Sequence, residues 1–184
     1  MMSNIKNILP WYVSDILTKF GLTVDSIYCD SGAYVDNGIY IGSLTTAMSE
    51  SRLDTLRIDS IINLSQRKYN CKIPVFDIDM DDTVIDIDNF EDYVLKFKSG
   101  VEVIKSEREK NKNILVHCAA GINRSATLIA MYLIDSGDDY TTAIDKLAIA
   151  NESRGAPLLT NRTFKYLLSA QDSFNRNFNC KQLI

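Results

Sequence analysis

The sequence predicts a single α/β domain, a central mostly parallel sheet flanked by helices. Three observations carry this. Short apolar runs alternate with amphipathic stretches through the middle of the chain and helical patterns dominate its end, the order that parallel strands and crossover helices produce. The 184 residues, 46% hydrophobic and 24% charged, suit one domain with its own core. No repeat or low-complexity linker divides them.

The elements follow in order. Residues 10–20 read as a short helix: Pro10 suits a first turn, Tyr12, Val13, Ile16, Leu17 and Phe20 recur at helical spacing, and Gly21 stops it. Its apolar stripe either packs on its own domain or docks on a second copy of the chain. Asp36-Asn37-Gly38 signals a turn, and residues 39–41 follow as a strand. Residues 47–57 have helical spacing. Ile61, Ile62 and Leu64 make 59–64 a buried strand, and 74–79 is another strand candidate. Phe90, Tyr93, Val94, Phe97, Val101 and Ile104 form one stripe of a long helix over 90–110. Residues 114–116 are a very apolar strand. Residues 126–134, 141–150 and 160–174 are helices, the first two separated by Gly137-Asp138-Asp139.

Composition narrows the chemistry. A net charge of −4 argues against a nucleic-acid binder with a broad basic face. No run of about 18 apolar residues occurs, so no membrane-spanning helix is expected. One histidine excludes a multi-histidine metal site and confines histidine chemistry to His117. Cys29, Cys71, Cys118 and Cys180 form no C-x-x-C pair, so neither zinc nor a disulfide framework is expected. Met1 to Phe20 lacks the parts of a signal peptide, which makes reduced thiols in a cytoplasm-like compartment the default.

The informative stretch is NILVHCAAGINRSATLIAMYLI, residues 113–134. A buried strand ends at His117, a short loop over 118–124 follows, and a helix starts near Ser125. Amides of Ala119, Ala120, Gly121, Ile122 and Asn123 in such a loop, at a helix N-terminus, converge on an anion. Gly121 permits a backbone angle that other residues resist. Arg124 adds a fork of donors matched to phosphate oxygens. Cys118 lies beneath that anion, where the amides and the helix dipole stabilise a thiolate. Cys-x5-Arg alone is a weak signal. With His117, Gly121, Ser125 and the strand–loop–helix context, chance is implausible. The bland reading, a buried cysteine and an unrelated surface arginine, is the poorer one.

HCAAGINRS matches the HCxxGxxRS signature of the cysteine-based phosphatases, and the flanking text resembles their dual-specificity group. VDNGIYIGSLTTAMS with IDSIINLS is similar to that group's first strands, and RGAPLLTNRTFKYLL to its closing segment. The resemblance covers about 31–174 and is nearest the poxvirus-type enzymes. It implies a catalytic domain over 31–174, preceded by a helical extension over 1–30 and followed by a tail over 175–184. Cys118 is then the nucleophile, Arg124 the phosphate and transition-state ligand, and Ser125 a donor to the sulfur. His117 orders the loop from behind.

The resemblance also implies a carboxylic acid as proton donor, after a strand and before the long helix. Residues 77–92, DIDMDDTVIDIDNFED, hold eight carboxylates there. Asp82, directly before Thr83, is the choice and Asp81 the runner-up. Crowded like charges would keep such an acid protonated longer. A calcium loop is excluded, because Asp82 stands where that loop needs Gly and no Glu occupies its twelfth position. Asn161 matches an Asn that braces the loop in the family, or is a plain helix N-cap. Arg154 reads as a surface residue, with a second anion contact as the alternative.

None of Ala119, Ala120, Ile122 and Asn123 is basic, which disfavours an inositol-lipid substrate, and the acidic chain offers no path for a triphosphorylated RNA. The resemblance implies a phosphoprotein phosphatase acting on phosphotyrosine and phosphoserine or phosphothreonine, with no cofactor and no metal. A silent phospho-binding module of the same fold is the alternative, as is an RNA or phosphoinositide phosphatase. Neither nucleic acid nor membrane is expected as a partner. A homodimer through the first helix, and a viral enzyme of the host cytoplasm or virion, complete the expectations.

Overall fold

A computed structural model of the chain describes residues 30–181; the helix expected over 10–20 lies outside them. Five strands form one sheet in the order β1-β2-β5-β3-β4. β1 (Ala33–Asp36) and β2 (Ile39–Gly42) are antiparallel, joined by Asn37-Gly38 at φ 40° and 71°, a two-residue turn suited to a hairpin. β2, β3 (Ser60–Asn63), β4 (Val75–Asp77) and β5 (Ile114–His117) run parallel to one another. The expected mostly parallel sheet is present, with one antiparallel edge strand besides. The hydrophobic pattern does not announce β1, because an edge strand need not be apolar: of its four residues only Ala33 is buried.

Strand side chains alternate between two cores. Ile39, Ile41, Ile62, Ile114 and Val116 enter the larger, while Ile61 and Leu115 enter a smaller one on the opposite face. Both faces are covered, which is why these strands read as continuous apolar runs. α1 (Leu44–Ala47) and α2 (Glu50–Leu56) supply Ala47 and Leu53 to the smaller core. The helix expected over 47–57 is present as the shorter α2; Ser49 before it adopts an extended backbone, which separates α2 from α1, a helix the sequence pattern does not announce.

α3 (Phe90–Glu109), α4 (Arg124–Asp135), α5 (Tyr140–Glu152) and α6 (Arg162–Lys181) build the larger core. α4 is buried on every side up to Ile134, as an apolar central helix must be. α6 starts two residues later than expected and continues past Phe174 to Lys181. No Gly or Pro stands between 175 and 181 to stop it, so the expected domain boundary at 174 falls inside a continuous helix.

Gly42, His117, Asn63 and Asp77 are register neighbours at one sheet edge. The loops that follow the four parallel strands therefore leave side by side, where ligands of parallel sheets bind.

Candidate active site

The loop 118–124 links β5 to α4, and its carbonyls are tied from outside. Cys118 O accepts from His117 Nδ1 (3.1 Å), Ala119 O from Leu44 N (3.1 Å) and Ile122 O from Leu159 N (2.9 Å). Ala120 O and Gly121 O accept from the Arg154 guanidinium at 3.3 and 2.9 Å. A planar trans peptide points its N–H away from its C=O, so the amides of 119–123 turn to the inner side. The Gly121 amide donates to Cys118 Sγ at 3.2 Å. Gly121 itself sits at φ 70°, and a Cβ there would lie 2.3 Å from the Arg154 guanidinium and 2.6 Å from Gly42 O.

Arg154 corrects the expectation that it lies on the surface or contacts the anion. Its side chain is 1% exposed and stands behind the loop. Nε and one terminal nitrogen donate to the two carboxylate oxygens of Asp30 (2.8 and 3.0 Å), and the other also reaches Asn151. Burial would raise the Asp30 carboxyl, but the Arg154 bonds and charge hold it below the usual range. No local pattern announces this pair, whose members are 124 residues apart.

Cys118 is 1% exposed at the floor of the loop. Burial pushes its thiol up, yet the Arg124 charge and the Ser125 hydroxyl and amide outweigh that and hold it below its ordinary value. Ser125 Oγ donates to Sγ at 3.5 Å. Arg124 is buried, with one terminal nitrogen donating to both Leu64 O and Met80 O at 2.8 Å. Its Nε is buried with no hydrogen-bond partner among the described residues, a donor able to bind an anion.

His117 is fully buried. The Cys118 carbonyl can only accept, so Nδ1 carries the proton and Nε2 accepts from Tyr69 Oη at 2.7 Å. Burial, with the Arg124 charge beside it, pushes the ring down to about 4 against the pull of the Cys118 bond. Asn63 shapes the loop that delivers Tyr69. Its Oδ1 accepts from the Ser65 amide and hydroxyl, and its Nδ2 donates to Arg67 O and Asp77.

The acidic stretch reaches the site through Asp82. Its oxygens accept from Asn123 Nδ2 at 3.1 and 3.2 Å and from Asn161 Nδ2 at 3.3 Å. Asp81 is exposed, and among the described residues only its carbonyl is engaged, by the Tyr93 hydroxyl at 3.0 Å. Tyr93 in turn accepts from Thr83 (2.8 Å) and packs with Phe97 and Phe164, so α3 and α6 anchor the segment. The Asn161 side chain stands at the N-terminus of α6 and bonds the acidic stretch rather than the phosphate loop. Its Oδ1 caps α6 at the Thr163 amide (3.0 Å), while its Nδ2 also holds Thr83 O (2.9 Å). Three residues that the sequence does not single out complete the surroundings: Asp30 pairs with Arg154, Tyr69 bonds the His117 ring, and Asn63 holds Ser65, Arg67 and Asp77.

Residues 39–180 match the family model for the dual specificity phosphatase catalytic domain. The chain is 31% identical over 138 residues to the dual specificity protein phosphatase OPG106 of vaccinia virus (strain Copenhagen), spanning 71% of this chain and 76% of that one. Among solved structures it is similar to DUSP15 (TM-score 0.61, 25% identity, 80% of this chain and 94% of that one). The Orf virus phosphatase OH1 shares the fold at 17% identity (TM-score 0.61, 89% and 98% covered).

Proposed function

The chain belongs to the dual specificity phosphatase family, and from that premise we propose the residues and steps by which this dual-specificity protein phosphatase removes phosphate from phosphotyrosine and from phosphoserine or phosphothreonine. The Cys118 thiolate attacks phosphorus, the P–O bond to the side chain breaks, and the leaving oxygen takes a proton from the Asp82 carboxyl. Water then attacks the cysteinyl-phosphate, Asp82 takes its proton, and the P–S bond breaks to return the thiolate, with Ser125 donating to the departing sulfur. The loop amides and Arg124 hold the phosphoryl oxygens through both steps. His117 and Asn161 position loop and acid without touching the reacting atoms.

The observation that carries this reading is Arg124. A buried guanidinium, pinned by two carbonyls and with an Nε that has no partner among the described residues, stabilises the Cys118 thiolate and can bind a phosphoryl oxygen. The test compares phosphate release from a phosphotyrosine peptide, a doubly phosphorylated peptide, a phosphoinositide and triphosphorylated RNA. Turnover of both peptides by the wild type, absent in Cys118→Ser, is expected. Equal rates for the two proteins would sink the assignment, and preferential release from lipid or RNA would redirect it.

Three finer readings belong here. The apolar stripe of residues 10–20 supports a homodimer, which a monomeric mass by light scattering at high concentration would remove. The poxvirus relatives support a viral enzyme. Cys71 and Cys118 are free thiols and no helix among the described residues is long and apolar enough to cross a membrane, which supports work in the host cytoplasm or the virion.

A further inference from the structure

Asn123 occupies a variable position of the phosphate loop, where its backbone amide faces the anion. Its side chain does something separate. It is 4% exposed, so its amide oxygen and nitrogen need partners inside the protein. Oδ1 accepts from Thr160 Oγ1 (3.1 Å) and from the Asn161 backbone amide (3.1 Å). A backbone N–H can only donate, so this end must be the oxygen, and Nδ2 is turned towards Asp82. There it lies within 3.1 and 3.2 Å of the two carboxylate oxygens. Asn161 closes the arrangement, since its own Nδ2 reaches Asp82 Oδ1 at 3.3 Å. Three segments meet at one amide: the phosphate loop, the acidic stretch and the start of α6.

We infer that Asn123 is a positioning residue for proton transfer, its side-chain amide fixing the Asp82 carboxyl over the phosphate loop. The inference rests on the assignment of Asp82 as the acid. A neutral carboxylic acid still offers an acceptor oxygen, so the same amide holds Asp82 before and after it gives up its proton. The link also ties the donor to the loop that holds the phosphate. General acids act only within about 2.6–3.2 Å of the atom they protonate, and a displacement of about 1 Å costs roughly 100-fold.

The test is a leaving-group series on wild type, Asp82→Asn, Asn123→Ala and the double variant. Dinitrophenyl phosphate departs with little help from an acid, whereas phenyl phosphate needs a proton. Asn123→Ala should lower kcat on phenyl phosphate by roughly 10- to 100-fold and on dinitrophenyl phosphate by less than about 3-fold. The double variant should be no slower on phenyl phosphate than Asp82→Asn alone. A merely structural role would lower both substrates together, and that result, or additive losses in the double variant, overturns the inference. Equal losses on both substrates for Asp82→Asn would instead overturn the acid assignment beneath it. Should Asn123→Ala not fold, Thr160→Val carries the test, since it removes one of the two donors to Oδ1 and keeps the side-chain shape. It should slow phenyl phosphate alone, by roughly 3- to 10-fold; unaltered selectivity overturns the inference equally.

Discussion

Tyr69 donates its hydroxyl to His117 Nε2 at 2.7 Å, and the other ring nitrogen holds the carbonyl of Cys118, the proposed nucleophile. The ring is fully buried and its folded-state value falls to about 4, below the ordinary 6.5. His117 therefore stays neutral in the fold. The stability this contributes is fully present above pH 6.5 and is lost as pH falls from 6.5 towards 4, to a total of roughly 3 kcal/mol. Urea midpoints taken between pH 7.5 and 4.5 should show that slope in the wild type and a flatter one in His117→Asn. Parallel slopes would mean that the ring does not titrate in this range. Tyr69→Phe leaves Nε2 buried without a donor and should cost about 1–3 kcal/mol at neutral pH.

Arg154 and Asp30 make a second prediction. Arg154→Met removes the partner of a buried carboxylate and strips donors from Ala120 O and Gly121 O. Breaking one half of such a pair costs about 3–5 kcal/mol. The loop amides also lose the brace that turns them inward, so vanadate should bind more weakly. Thermal unfolding checks the first effect and vanadate inhibition the second. A variant that loses stability but binds vanadate normally would show that Arg154 supports the fold alone.

Gly121 and Arg154 also show how far the sequence could be read. The nucleophile loop was legible because its chemistry is local: Cys118, Gly121, Arg124 and Ser125 lie within eight residues, and strand and helix periodicity bracket them. The parallel strands were legible because burial on both faces leaves an unbroken apolar run. β1, at an edge, has no such run. The loop's outer braces were not legible, since a buried arginine that bonds carbonyls leaves no periodic trace and its partner is distant in sequence. Gly121 is expected to supply a backbone angle that other residues resist, and its φ of 70° is such an angle. Its second reason, the guanidinium packed where a side chain would go, needs the fold. Asp82 stood out from seven neighbouring acids only through the resemblance, and the contact with Asn123 places it beside the loop.

The Cys118 thiol gives a third prediction. Burial alone would raise it, and the Arg124 charge and the Ser125 bonds reverse the sign. Inactivation by iodoacetamide, followed against pH, should show a midpoint below that of a free thiol, about 8.5. Arg124→Met removes the largest stabilising charge and should move the midpoint upward. Ser125→Ala should move it in the same direction by less. An unshifted midpoint in Arg124→Met would show that the loop amides, and not the guanidinium, hold the thiolate.

Ser125 has a separate signature in time. Its hydroxyl, fully buried, donates to Cys118 Sγ at 3.5 Å. In the proposed first step the sulfur attacks, and a donor to it lowers its nucleophilicity while raising the thiolate fraction. These two effects oppose each other. In the second step the sulfur leaves phosphorus as a thiolate, and the same donor stabilises the charge that develops. Ser125→Ala should therefore slow breakdown of the cysteinyl-phosphate more than its formation. Rapid mixing with dinitrophenyl phosphate should then release a burst of about one phenolate per enzyme before a slow steady state. The steady-state kcat should become insensitive to the leaving group, because the leaving group is gone before the slow step. Loss of the burst together with a kcat that follows leaving-group acidity would place the effect of Ser125 in the first step instead.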